Sequence, residues 1–187
     1  MPSMSIFRPL VLYCHGLGAS PNNRFAQQLR CLVESRKLSF QSVQYRHVGA
    51  NKLWDVNEWL KDILSCIDNA KSKGFSSNIL IGFSGGCHAV LRATIERPDD
   101  ISGLLLLAPG VGLSVQSYVA ATMPHLADEL YRGEAVLIPA LKDGFPVLLN
   151  RRCLEEYAEK CVSNSMTRIP IKCPVRVLLG GDDKVSY

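Results

Sequence analysis

Residues 82–86 read Gly-Phe-Ser-Gly-Gly, a Gly-x-Ser-x-Gly motif with Ser84 at its centre. A serine hydroxyl in this motif can act as a nucleophile when it is exposed on a sharp turn between a strand and a helix. The flanking glycines remove side chains that would collide around such a turn. The apolar run before residue 82 and the helical pattern after residue 86 predict this strand–turn–helix context. The alternative is a glycine-rich turn in which Ser84 only caps the helix.

A second glycine-bearing loop, His15-Gly16-Leu17-Gly18, follows the first apolar run of the chain. In hydrolases with a serine on a strand-to-helix turn, an N–H group of this loop pairs with the N–H after the nucleophile to bind the oxyanion. The order of the two segments therefore predicts Leu17 and Gly85 as the oxyanion-hole donors. His15 is expected to shape the loop by hydrogen bonding. The alternative is a plain turn.

Two adjacent carboxylates, Asp182 and Asp183, follow the last apolar run. The chain order in such hydrolases is serine, acid, histidine, and the acid orients the imidazole and stabilises its charged form. Asp182 stands at Asp-x-x-Val spacing before Val185 and is the predicted acid, with Asp183 as the second candidate. We expect Asp182 at the end of the strand next to that of Ser84. The alternative is an exposed turn, because Gly-Gly-Asp-Asp also suits a turn.

The histidines leave a gap in this arrangement. The chain has four, at positions 15, 47, 88 and 125, and none of them follows Asp183. His88 comes one helical turn after Ser84 on the same helix, so it is expected to be a packed residue and not the base. A serine hydroxyl without a base is a weak nucleophile. The sequence therefore predicts a truncated form that lacks the last strand, the last helix and the catalytic histidine.

The elements that must position these residues alternate along the chain. Apolar runs predict strands at 10–14, 43–45, 79–81, 104–108 and 175–179. Ser20-Pro21 predicts the start of a first helix, and a helical face that begins at Val56 predicts a second, ended by Gly74. Strands that are apolar throughout and separated by amphipathic helices predict an α/β fold, with a mostly parallel sheet covered on both faces.

Residues 110–168 break the alternation, since this long stretch is mostly helical in pattern and contains three prolines. We expect an inserted helical cap over the carboxyl ends of the strands, where ligands bind in open α/β sheets. The alternative is one ordinary sheet-covering helix with loops. Residues 1–187 then form a single domain, incomplete at its carboxyl terminus, with 110–168 as the cap insertion.

Composition excludes several other classes of function. The formal net charge is +4, and the nearest approach to a basic cluster is the pair Arg151-Arg152, so no nucleic-acid partner is expected. Seven scattered cysteines without metal-ligand spacing indicate reduced thiols in an intracellular protein and no metal site. No phosphate-binding loop is present, and no cofactor is predicted. No apolar run reaches the ~20 residues of a transmembrane helix. Residues 1–7 do not read as a targeting segment.

The chain resembles α/β-hydrolase-domain proteins of the mitochondrial palmitoyl-protein thioesterase type, which also act as acyl-glucuronide esterases. The resemblance runs from the first strand to the acid loop and is carried by the segments 59–68, 81–86, 95–98 and 170–180. It implies the α/β-hydrolase fold, Ser84 as nucleophile, Asp182 as acid, Leu17 and Gly85 as oxyanion donors, and mitochondrial localisation; a genuine amino terminus at Met1 would instead favour the cytoplasm. The chain departs from these proteins at Gly85, where they have Leu, and at His15-Gly16, where they have Pro-Gly.

The leading interpretation is a serine esterase or thioesterase that works through an acyl-enzyme on Ser84, with a small-molecule or acyl-protein ester as substrate. A non-catalytic binding or regulatory protein that keeps the acyl pocket is the alternative, because the triad histidine is absent. A lyase or haloperoxidase on the same fold is a third possibility, since a fold does not fix a function.

Overall fold

The computed structural model describes residues 8–46 and 48–182 of the chain. The strands are β1 (Pro9–Cys14), β2 (Ser39–Ser42), β3 (Gly49–Leu53), β4 (Ser77–Phe83), β5 (Ile101–Leu107), β6 (Val136–Ile138), β7 (Val147–Leu149) and β8 (Val175–Leu178). The helices are α1 (Arg24–Ser35), α2 (Val56–Ser72), α3 (Gly85–Glu96), α4 (Val115–Thr122), α5 (Ala127–Tyr131), α6 (Arg151–Lys160) and α7 (Val162–Ser165), with a 3₁₀ turn at Pro124–Leu126.

The main sheet has five parallel strands in the order β2-β1-β4-β5-β8. Side chains alternate between two cores along β1, since Leu10, Leu12 and Cys14 face the core beneath α2 and α3. Val11 and Tyr13 face the core on the side of α1. A strand that is buried on both faces has no polar positions, which is why these strands appear in the sequence as unbroken apolar runs. The predicted parallel α/β architecture is confirmed.

The register of the central strands sets the position of the candidate site. Cys14 of β1 is paired with Gly82 of β4, and Gly82 is paired with Leu106 of β5. The three strands therefore end at one level, and the loops that follow them emerge side by side at the carboxyl edge of the sheet. Ligands bind at this edge in open α/β sheets.

Residues 110–168 lie between β5 and β8 and contain more than helices. The short strands β6 and β7 pair antiparallel, and β7 pairs in parallel with β3, forming a second sheet in the order β3-β7-β6. Val136, Val147 and Leu149, which belong to this small sheet, are buried. The sequence analysis expected helices in this region and did not predict β3, β6 or β7, because strands of three to five residues are too short for a clear period.

Two further predictions about local structure were wrong. The first helix begins at Arg24, with the Asn23 side chain accepting a hydrogen bond from the N–H of Ala26 over 2.8 Å. Ser20 instead closes a turn, since its carbonyl accepts from the N–H of Asn23. The second strand occupies residues 39–42, and the apolar run 43–45 follows it. The end of α2 is as predicted, with Gly74 at φ +80° just after its last turn.

Candidate active site

Ser84 occupies the turn between β4, which ends at Phe83, and α3, which begins at Gly85. The predicted strand–turn–helix context is therefore confirmed. The backbone of Ser84 has φ +50° and ψ −123°, a conformation that L-residues rarely adopt and that surrounding structure must hold in place. Its N–H donates to the carbonyl of Leu107 over 2.9 Å, and its carbonyl accepts from the N–H of Cys87 and of Gly110 over 3.0 and 3.2 Å.

Two glycines of the motif are required by close backbone contacts. A Cβ atom at Gly82 would lie 2.6 Å from the Cα of Cys87, and one at Gly86 would lie 2.2 Å from the carbonyl oxygen of Cys14. Both distances are too short for any side chain, so α3 can pack this tightly against β1 and β4 only with glycine at these positions. The motif is thus a steric requirement of the turn that carries Ser84.

The loop after β1 lies against the nucleophile. A Cβ atom at Gly16 would stand 2.9 Å from the Cβ of Ser84. The N–H groups of Leu17 and Gly85 donate no hydrogen bond within the described residues. They lie close together, since the N of Leu17 is 3.9 Å from the position of a Cβ on Gly85. Gly85 also begins α3, where the helix dipole favours negative charge. Two unpaired donors beside a serine can hold an oxyanion.

His15 stabilises this loop from below. It is buried, its Nδ1 donates to the carbonyl of Gly16 over 3.0 Å, and its ring meets Tyr45 edge-on at 4.6 Å between centroids. Burial lowers the pKa of His15, and the hydrogen bond to Gly16 acts in the opposite direction. A neutral imidazole that donates through Nδ1 has the loop-shaping arrangement expected from the sequence.

A cavity of about 430 Å³ opens above Ser84. The main domain contributes Leu17, Phe83, Ser84, Gly85 and Ala108 to its wall, and the segment 110–168 contributes most of the remainder. Among the described residues that line the cavity, none carries a formal charge. The large side chains of the wall are aliphatic or aromatic. Beyond the main sheet and its loops they are Trp54, Leu113, Tyr118, Leu141, Leu154 and Tyr157. Such a cavity fits an apolar group of modest size.

Sequence reasoning missed Tyr157, whose hydroxyl donates to the carbonyl of Gly110. Gly110 in turn donates to the carbonyl of Ser84, so a helix of the segment 110–168 is linked to the nucleophile turn through two hydrogen bonds. The Tyr157 ring also stacks on His88, with 4.4 Å between centroids. No local motif marks this tyrosine, because its partner lies 47 residues away in the chain.

The described histidines stay outside the cavity. His88 is fully buried on α3, and neither ring nitrogen makes a hydrogen bond of normal geometry. His15 lies under the loop at residues 16–18, and His125 is exposed in the 3₁₀ turn. None of the three is among the lining residues. His47, the fourth histidine, lies outside the described residues.

Asp182 does not lie where the sequence analysis expected it. It follows β8 in an exposed turn, and β5 separates β8 from the strand of Ser84 in the sheet order. The predicted position on the next strand is therefore wrong, because after β5 the chain returns from residues 110–168 to the outer side of the sheet. Asp183, the second candidate, lies outside the described residues.

Two other classes of site find no support here. Burial raises the pKa of the Cys87 thiol to about 12, so this cysteine beside Ser84 is not a thiolate nucleophile at neutral pH. Among the described residues no group of three or more potential metal ligands occurs.

Within residues 8–46 and 48–182, none of the helices has the length and apolar character needed to cross a membrane.

The parallel sheet with helices on both faces and the turn at Ser84 together have the architecture of the α/β-hydrolase fold. The mitochondrial palmitoyl-protein thioesterase ABHD10 of Mus musculus is 30% identical to it over 182 residues, which are 95% of this chain and 59% of that protein. The chain thus spans less than two thirds of this relative. The structure of mouse alpha/beta hydrolase domain-containing protein 10 matches with a TM-score of 0.71, at 24% identity, over 95% of this chain and 70% of that one. The monoacylglycerol lipase of Paleococcus ferrophilus gives 0.72 at 20% identity, over 95% and 75%. No protein-family model matches the chain.

Proposed function

We propose that the protein is a serine hydrolase that cleaves acyl esters or thioesters through an acyl-enzyme on Ser84. The observation that carries this proposal is the position of Ser84, on a backbone with φ +50° at the base of a cavity of about 430 Å³ whose lining, within the described part of the chain, carries no formal charge. The unpaired N–H groups of Leu17 and Gly85 beside it supply what a developing oxyanion needs.

In the proposed reaction the Oγ of Ser84 attacks the carbonyl carbon of the substrate, and its proton passes to a base. Leu17 and Gly85 donate to the oxyanion of the tetrahedral intermediate. The intermediate then expels the alcohol or thiol, which takes up the proton, and leaves the acyl group on Ser84. Water attacks this ester in the same way and releases the acid.

Asp182 is the proposed acid, which would orient the imidazole of a catalytic histidine. Since no described histidine lines the cavity, the proton acceptor of this reaction is a residue that the described part of the chain does not supply. Serine hydrolases without their base keep only the residual rate that the oxyanion hole and binding provide.

The proposed substrate is a small-molecule or acyl-protein ester with an apolar acyl group, because the cavity wall formed by the described residues carries no formal charge. The mouse relative is named a mitochondrial palmitoyl-protein thioesterase. This name supports a thioester substrate and a mitochondrial location for the protein.

The test is labelling with a fluorophosphonate, followed by mass spectrometry of the modified peptide, together with hydrolysis of p-nitrophenyl acetate. We expect modification at Ser84, at the residual rate that the oxyanion hole and binding provide where the base is lacking, and none in Ser84→Ala. Ser35→Ala, which changes an exposed serine at the end of α1, serves as the matched control and should label normally. Labelling that persists in Ser84→Ala would exclude Ser84 as the nucleophile.

The position of the histidines favours a second candidate, an acyl-binding protein without turnover. It predicts that apolar acyl compounds bind with measurable affinity while Ser84 neither labels nor hydrolyses esters. Binding and labelling measured on the same preparation distinguish the two functions.

A further inference from the structure

Gly85 differs from the other two glycines of the motif because the backbone does not require it. A Cβ atom at Gly85 would meet Trp59, the hydroxyl of Tyr157 and the N of Leu17 at 3.8, 3.8 and 3.9 Å, which are ordinary van der Waals distances. Its φ lies outside the left-handed region. Alanine would therefore fit here, whereas it would collide with backbone at Gly82 and Gly86.

The missing side chain leaves space at a particular place in the cavity. Gly85 lines the cavity, and its absent Cβ would lie between the N of the proposed oxyanion donor Leu17, the ring of Trp59 and the hydroxyl of Tyr157. Because the oxyanion donors fix the position of the scissile carbonyl, this space adjoins an atom bonded directly to the carbonyl carbon.

The space belongs to the acyl side of the carbonyl. Trp59 and Tyr157, which bound it, are 1% and 4% exposed, so it forms the inner wall of the cavity. A leaving group must diffuse out during the reaction and therefore needs the open side, where Leu141 is 57% exposed. The acyl group stays on the serine and takes the inner side.

We propose that Gly85 makes room for a substituent on the α-carbon of the acyl group, so that the cavity accepts α-branched acyl groups that a side chain at residue 85 would exclude. The proposal rests on the proposed function, because it places the scissile carbonyl at Leu17 and Gly85. One methyl group too many in an apolar pocket changes selectivity by about 10- to 200-fold.

The test uses binding, so that it does not depend on turnover. The N-butyl amides of octanoic acid and of 2-methyloctanoic acid resemble ester substrates but resist cleavage. Their dissociation constants can be followed by tryptophan fluorescence, since the two tryptophans of the chain are Trp54, which lines the cavity, and Trp59, which borders Gly85. We expect the dissociation constants of the branched and linear amides for the wild-type protein to agree within about threefold. A methyl group lowers affinity by about tenfold or more only where the pocket has no room for it.

Gly85→Ala is the decisive variant. We expect the ratio of branched to linear affinity to fall at least about tenfold. Gly103→Ala in β5 is the matched control, because its Cβ would also have only ordinary contacts, the nearest at 3.9 Å, and it does not line the cavity. The ratio should not change in this control. Circular dichroism verifies that each variant is folded.

Three results would overturn the proposal. The first is a wild-type preference of more than tenfold for the linear amide, which decides the question even if Gly85→Ala does not fold. The second is an unchanged ratio in a folded Gly85→Ala. The third is a Gly85→Ala variant that loses affinity for the N-sec-butyl amide of octanoic acid, which is branched on the amine side, and not for the amide of 2-methyloctanoic acid. This result would assign the space to the leaving group. The binding series can be repeated in Ser84→Ala, which has no nucleophile. The ratio of affinities is therefore measurable even if Ser84 fails to label, so failure of the proposed function and failure of this proposal are distinguishable.

Discussion

Burial of His88 predicts a loss of stability in mild acid. The ring is fully buried and stacked on Tyr157. Burial, followed by the nearby positive charge of Arg92, lowers the pKa of His88 from 6.5 to about 4, while the backbone of Lys160 acts in the opposite direction. In the unfolded chain the group has its ordinary pKa. Between pH 6.5 and about 4 the unfolded state therefore binds a proton that the folded state does not, and stability falls as the pH falls through this window.

The size of the effect follows from the pKa difference. Each unit of pH within the window changes the free energy of unfolding by about 1.4 kcal/mol, so the loss between pH 6.5 and 5.0 is about 2 kcal/mol. Burial also lowers the pKa of His15, which adds a loss of the same sign. The contribution of His88 must therefore be measured as a difference between variants.

The assay is urea unfolding at pH 7.0 and pH 5.0. In His88→Phe, which keeps an aromatic ring against Tyr157 but cannot take up a proton, we expect the drop in unfolding free energy between the two pH values to be smaller by about 2 kcal/mol than in the wild type. His125→Gln, which changes an exposed histidine, should retain the wild-type drop. Equal drops in wild type and His88→Phe would refute the conclusion that burial keeps His88 neutral.

Three other substitutions test the close packing at the nucleophile turn and two buried hydrogen-bonding groups. Gly86→Ala should destabilise the fold by roughly 3 kcal/mol, measured by urea unfolding, because its Cβ would lie 2.2 Å from the carbonyl oxygen of Cys14. Tyr157→Phe removes the hydrogen bond to Gly110 and should cost about 1 kcal/mol of stability while slowing fluorophosphonate labelling of the nucleophile. Asp62→Ala should cost about 2 kcal/mol in the same unfolding assay. This buried carboxylate accepts one hydrogen bond from the backbone N–H of Arg46 over 2.9 Å and another from the guanidinium of Arg46.

Matched controls make these outcomes decisive. Gly103→Ala, with an admissible Cβ, should change stability by less than 1 kcal/mol, and a similarly small change in Gly86→Ala would contradict the steric argument. Asp68→Ala removes a carboxylate that is 60% exposed and 3.9 Å from Arg97, so its effect should stay near 0.5 kcal/mol. Tyr157→Phe that labels at the wild-type rate would show that the tyrosine hydroxyl does not position Ser84.

The sequence was informative where structure is decided locally. The motif around Ser84 encodes part of its own turn, because the contact that excludes a side chain at Gly82 comes from the nearby backbone of Cys87, although the contact at Gly86 comes from Cys14 on β1. The apolar runs of the central strands also predict their burial directly. In contrast, the first helix began three residues later than Pro21, because Ser20-Pro21 suits a turn as well as a cap and only the packing of α1 against the sheet decides between them.

Residues that meet across the fold could not be predicted in this way. Tyr157 is linked to the nucleophile turn through its hydrogen bond to Gly110, which is 47 residues away in the sequence. No periodic pattern in the sequence predicts a contact between residues so far apart. The strands β6 and β7 are stabilised by pairing with each other and with β3, and not by the propensity of three residues. Strand pairing and register are non-local properties, so the small second sheet became apparent only in the structure.

The sheet order bears on how the proposed acid can serve Ser84. Strands in a sheet lie about 4.8 Å apart, so β4 and β8, with β5 between them, are separated by roughly 9.6 Å. A carboxylate, an imidazole and a hydroxyl in line need two hydrogen bonds of about 2.8 Å each in addition to the width of the ring. The spacing of alternate strands leaves this room. The position of Asp182 after β8 is therefore consistent with its proposed role as the acid.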